Sequence, residues 1–132
     1  MSVPCEVAVK CVLPVIRAML AKELMSVNGL KQVEVAQLLS VSQPAVSLYN
    51  RSIRGKAMDL ADDKAIRLQV AEMARLLAKG DLPRRDLVLM YCQICKTIRS
   101  KGLMCSLHKS IDSSIDVADC AICKSIEATP CF

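Results

Sequence analysis

Residues Gly29 to Lys56 read GLKQVEVAQLLSVSQPAVSLYNRSIRGK, and how this stretch divides into helices decides the fold. Asn28-Gly29 makes a turn just ahead of it. A first helix is expected over Gln32 to Leu39 and a second from Gln43 to about Asn50, with Ser40-Val41-Ser42 between them. The Ser42 hydroxyl is placed to cap the second helix. Pro44 falls in that helix's first turn, where a missing N–H leaves no bond unmade. Two short helices around a three-residue turn obey the length rule of a helix-turn-helix. The apolar positions agree. Val33, Ala36 and Leu39 are expected to anchor the first helix, Val41 and Val46 to fill the angle between the two. Ala36 is small where close helix approach is needed.

The polar positions of the second helix are Gln43, Ser47 and Asn50. Their amide and hydroxyl groups suit base edges in the major groove, and Gln can address adenine in a bidentate way. Arg51, Arg54 and Lys56 follow. No acidic residue lies between Val35 and Met58, so the stretch is a local positive field for phosphates.

The segment resembles the lambda-repressor/Cro type of helix-turn-helix, the XRE family. Gln32 opens the first helix, Ala36 lies inside it, and Val41-Ser42-Gln43 leads into the second with Val46-Ser47. The resemblance implies that Gln32, Gln43 and Ser47 contact DNA. The family usually places Ser or Thr before its first Gln. Here that residue is Lys31, which weakens the cap and adds a phosphate-seeking charge. Lys31, Gln32, Ser42, Gln43, Ser47, Asn50, Arg51, Arg54 and Lys56 are therefore the residues expected at double-stranded DNA.

On either side of this stretch the punctuation is again helical. Pro4 to Met25 puts Ile16, Met19, Leu20 and Leu24 on one face, with a kink or restart expected at Pro14. Lys64 to Lys79 carries a stripe of Ile66, Val70, Met73 and Leu77. Asp62 or Asp63 can cap it and Gly80 can end it; it reads as a packing or dimer helix. A further helix from Pro83 to about Ser100 aligns Leu87, Met90, Tyr91, Ile94 and Ile98. No stretch alternates with period two around a hairpin turn, so the fold is expected to be all-α. The composition shifts near residue 82. Residues 1–81 read as the helical DNA-binding domain, with its helix-turn-helix at about 31–51, and residues 82–132 as a cysteine-rich extension.

That extension holds Cys92, Cys95, Cys105, Cys120, Cys123 and Cys131, with the only histidine, His108. Three pairs share one spacing: Cys92-Gln-Ile-Cys95, Cys105-Ser-Leu-His108 and Cys120-Ala-Ile-Cys123. A C-x-x-C pair brings two thiolates to one metal, and two pairs complete a tetrahedral site. Cys92, Cys95, Cys120 and Cys123 suffice for a structural zinc. The same four, or three of them with Cys105, suit an iron–sulfur cluster. Five thiols and an imidazole exceed what one zinc needs, and this surplus favours the cluster. A metal-free thiol switch is the third reading, with Lys96 and Arg99 close in sequence. His108 is balanced between ligand and bystander. Cys5 and Cys11 read as small core residues and Cys131 as inert.

The chain as a whole resembles a group of archaeal predicted regulators that join an XRE-type helix-turn-helix to a compact cysteine cluster. Pro4-Cys5-Glu6, Val12-Leu13-Pro14 with Arg17, and the three C-terminal pairs carry that resemblance. It implies a transcription regulator with a metal or iron–sulfur centre.

Composition narrows the alternatives. The chain has 132 residues, 53% apolar, so a packed core is expected. Aromatics are 2%, which weighs against platforms that stack single-stranded bases. Net charge is +5, compatible with a polyanion. Four glycines and a lone histidine leave no P-loop, no dinucleotide loop and no Ser-His-Asp set, so no enzyme and no small-molecule substrate are expected. Glu6, Lys10 and Arg17 interrupt the N-terminal apolar runs, and no run of about 18 apolar residues exists. A cytoplasmic protein with no membrane span is expected, where cysteine pairs more often bind metal than form disulfides. One short reading helix covers few base pairs, so a homodimer is expected.

Overall fold

The computed structural model describes residues 3–52, 55–114, 116, 120, 122 and 123. It is all-helical, with no strand among the described residues.

The chain opens with α1, Pro4–Val7, and passes through a π turn, Ala8–Val12, into α2, Leu13–Ser26. The restart expected at Pro14 is this change of winding. Pro14 has no N–H to return to the preceding turn, so a regular helix would leave a carbonyl unmet there. Widening the turn just upstream is one way a helix absorbs such a break. Ile16, Leu20 and Leu24 are fully buried on α2, and Met19 packs at the edge. α2 is the central rod and touches the helices that begin at Gln32, Gln43, Lys64 and Arg84.

Gly29, at φ +70°, turns the chain into α3, Gln32–Leu39. Glu34 accepts from the Lys31 amide at 3.2 Å, which is one half of a capping box; the Lys31 side chain has no acceptor for the other half. Ser40 adopts the left-handed conformation, φ 55°, and the Val41 amide bonds back to the Ala36 carbonyl at 3.0 Å. This stops α3 sharply. α4, Gln43–Asn50, then starts at Ser42, whose Oγ accepts from the Ala45 amide at 3.2 Å. Val35, Ala36 and Leu39 of α3 and Ala45, Val46 and Tyr49 of α4 are buried, with Val41 half-buried between them. Val33 is not an anchor: it is 51% exposed. At about 100° per residue it lies nearly opposite Val35, and the inward face follows Val35, Ala36 and Leu39.

α5, Lys64–Lys79, buries the whole expected stripe, with Ala74 added. Of the two capping candidates Asp63 acts, accepting from the Ile66 amide at 3.1 Å. α6, Arg84–Ser100, packs on α5 and α2, with Ile94 and Ile98 buried. A short α7, Cys105–Ile111, not anticipated from the sequence, touches α1. Lys101 Nζ reaches both Asp63 oxygens at 2.9 and 3.0 Å and ties the end of α6 to the start of α5. One continuous core runs from Val7 to Met104, so the helices on both sides of residue 82 share it. Among the described residues no helix is long and apolar enough to cross a membrane.

Candidate functional site

Chemistry-bearing residues gather on two faces. The first is the outer side of α4. Gln43 and Asn50 are exposed there and Ser47 is half-exposed. Spaced four and three apart, they line one side of the helix. Lys31, Ser42, Arg51 and Lys56 are exposed and Gln32 half-buried; Arg54 lies outside the described residues. The Ser42 oxygen is engaged in capping, but its O–H remains a donor.

Three cations not anticipated from the sequence lie near the C-terminal end of α4 and the loop after it. Lys22 Nζ donates to Ser52 Oγ, just after α4, at 2.7 Å. Lys10 and Arg17 line a hollow of about 360 Å³ together with Lys56, Tyr49 and Gly55. They come from the first two dozen residues, so only the packing of α2 against α4 brings them here. Gly55 lets the loop after α4 come close against α2. Its φ is +76°, and a Cβ there would stand 2.5 Å from the Pro14 carbonyl oxygen and 2.6 Å from Ala18 Cβ.

The second face is a groove of about 320 Å³ between α6 and the N-terminal segment. Cys92 and Cys95 line one wall, and Cys5 lines the other. Cys5 is exposed, which corrects the expectation that it is a small core residue: α1 is a single turn whose inward position is taken by Val7. Arg99 lies at the end of the groove, only 3% exposed. Its Nη1 donates to Cys5 Sγ at 3.8 Å. Burial works against its charge, yet its pKa is raised, because the contact with Cys123 and the charges of Cys123, Cys5 and Cys95 outweigh burial. Thiols from three separate segments therefore surround one buried guanidinium.

Two polar atoms on this groove are buried without a hydrogen-bond partner, Arg99 Nε and Tyr91 Oη. Burial pushes the Tyr91 phenol up to about 12, with the nearby Arg17 charge pulling the other way.

The remaining predicted ligands stand differently. Cys120 and Cys123 are half-buried. Cys105 opens α7, its Sγ 3.9 Å from where a Cβ on Gly102 would be. His108 is buried on α7 at 5% exposure. Cys11 is half-buried and lines the other hollow, beside Lys56. Cys131 lies outside the described residues. Among the described residues no three Cys, His, Asp or Glu side chains form a ready-made metal site.

No protein-family model, no curated protein and no solved structure matches this chain.

Proposed function

We propose that the chain is a sequence-specific regulator of transcription that binds double-stranded DNA through α3 and α4, acting as an XRE-type helix-turn-helix. One observation carries the reading. The outer side of α4 offers Gln43, Ser47 and Asn50, Lys31, Arg51 and Lys56 are exposed, and no acid lies from Val35 to Met58. In this mechanism α4 enters the major groove. The Gln43 amide and its neighbours read base edges. Lys31, Arg51, Arg54 and Lys56 hold phosphates, joined by Lys10, Arg17 and Lys22. A two-fold dimer doubles the base pairs read.

The test is selection from randomised duplexes, followed by binding of the enriched site and its single-base variants. Wild type is expected to enrich one defined, two-fold-related site. Gln43→Ala should lose about 1–3 kcal/mol of discrimination at one base pair per half-site. Equal affinity for selected and random duplexes would sink the reading.

The cysteines are proposed to hold an iron–sulfur cluster, through Cys92, Cys95, Cys105, Cys120 and Cys123. One structural observation speaks for such a group, although among the described residues no three of these side chains come together as ligands. A centre held by four thiolates is net negative, and its sulfurs accept N–H bonds. Arg99 supplies a buried positive charge with Nε unpartnered, near Cys95 and Cys123 of that set. A bound cluster would supply oxygen-sensitive one-electron chemistry. Arg99 would neutralise charge and donate to sulfur. Loss of the bound state would shift DNA affinity by a coupling of about 1–3 kcal/mol. A structural zinc on Cys92, Cys95, Cys120 and Cys123 is the second reading, since four thiols satisfy it. Iron with acid-labile sulfide in protein purified without oxygen supports the first; one zinc per chain with no iron supports the second.

A further inference from the structure

We propose that a cleft between the end of α3 and α6 binds a small organic anion, a carboxylate carried on an apolar body. The cleft has a volume of about 500 Å³, within the ~300–1,000 Å³ usual for small-molecule sites. The last turn of α3 and the turn after it contribute Gln37, Leu38, Ser40 and Val41. α6 contributes Arg84, Leu87, Val88 and Tyr91, and Arg17 reaches in from α2.

Three observations point to the occupant. Arg17 and Arg84 both line the cleft, and none of the described residues lining it is acidic. Among the described residues neither arginine has an ion-pair partner. The guanidinium fork matches a carboxylate in geometry as well as charge. Tyr91 Oη is buried with no hydrogen-bond partner, a cost that a ligand oxygen beside it would relieve. Burial pushes this phenol up to about 12, so at neutral pH it remains a donor. Leu38, Val41, Leu82 and Leu87 are only partly buried, which leaves apolar surface for the ligand's body to cover. A second copy of the chain suits the cleft poorly, because a two-fold contact would set the same arginines against each other.

The turn that joins the two proposed DNA-binding helices lines this cleft, so a bound anion would tie that turn to α6. This regulatory consequence rests on the DNA-binding reading above; the site itself does not.

The experiment titrates octanoate into the isotope-labelled full chain and follows its backbone amides by NMR. Octanol and octylammonium are the uncharged and oppositely charged controls. A saturable shift is expected, centred on residues 37–41 and 82–91, with octanol about 10-fold weaker and octylammonium not binding. Arg84→Gln replaces an exposed side chain and should weaken octanoate about 10-fold while leaving octanol unchanged. Tyr91→Phe should weaken octanoate ~3–10-fold without loss of stability, which a purely structural tyrosine would not do. Absence of a saturable octanoate shift at these amides overturns the site. So does equal binding of octanoate and octanol in wild type and Arg84→Gln. Octanoate at saturation should also change affinity for the selected duplex by about 5-fold or more. Unchanged duplex affinity, with octanoate bound, overturns the regulatory consequence alone. No duplex binding in either state overturns the DNA-binding reading and leaves the anion site standing.

Discussion

At the scale of single residues, Tyr91 and Arg99 show how burial turns ordinary side chains into informative ones. The Tyr91 hydroxyl is buried with no partner, so it carries a desolvation cost that a phenyl ring would not. Tyr91→Phe is expected to leave stability unchanged or raise it by up to ~1 kcal/mol in chemical denaturation. The alkaline limb gives a second readout. A phenol whose folded pKa is raised from 10.0 to about 12 favours the folded state below its unfolded value. That contribution is lost as pH rises through this interval. The wild-type chain should therefore lose stability more steeply there than Tyr91→Phe, and parallel curves would refute the assignment. None of this was legible in the sequence. Tyr91 reads only as a member of an apolar stripe, and Arg99 as one of two cations close in sequence to the cysteines, with no sign that either is buried. Their special standing arises because α6 turns both toward the N-terminal segment.

At the scale of elements, sequence reading succeeded where punctuation and periodicity agreed. α3, α4 and α5 begin and end where the caps and glycines indicate, because Ser42, Asp63 and Gly80 each perform the local bond or turn their chemistry allows. It failed at α7, whose seven residues, CSLHKSI, carry no strong period and no capping hydroxyl. It failed again at Val33, where an apolar residue on α3 faces outward. The loop after α4 carries the sharpest element-level prediction. Gly55 combines a left-handed backbone with direct contact between its chain and α2. Gly55→Ala must push the loop off the Pro14 carbonyl and is expected to cost about 1–3 kcal/mol, read from a denaturant midpoint. It should also weaken binding to any duplex, because Lys56 and the hollow it shares with Lys10 and Arg17 would shift. An unchanged midpoint would show that the loop accommodates a methyl group freely.

At the scale of the whole molecule, one core spans the composition break at residue 82, and a polar tie supplements it. Asp63 both caps α5 and receives Lys101. The Lys101 hydrogen bond, with the Ile66 amide second, holds the Asp63 carboxyl below its ordinary value of 3.8. A carboxyl with a depressed folded pKa favours the folded state above its unfolded pKa, and the contribution disappears as pH falls through the folded value. Asp63→Asn keeps an N-cap side chain but loses the charge. Its acid-side melting curve should be flatter than that of wild type below about pH 4; identical slopes would mean the tie contributes nothing. The candidate sites divide along the same lines. The α4 face was legible because its residues are contiguous. The thiol groove was half legible: the C-x-x-C spacing marks Cys92 and Cys95, but no local signal joins Cys5 to them. Long-range packing alone does that.

The π turn at Ala8–Val12 also makes the length of this segment a matter of counting. It accommodates one residue more than a regular helix would use. Were residues 4–26 wound as a single α-helix, everything upstream would turn by about 100°. Val7 would leave the core side, and Cys5 would leave the groove. Shortening the turn by one residue, at the exposed Lys10, restores regular winding and keeps both on their present sides. Losing a residue within Leu13–Ser26 rotates both away. The spare residue is thus what sets the N-terminal thiol in phase with α6, and a change of length matters here according to where it falls, more than according to which side chain it removes.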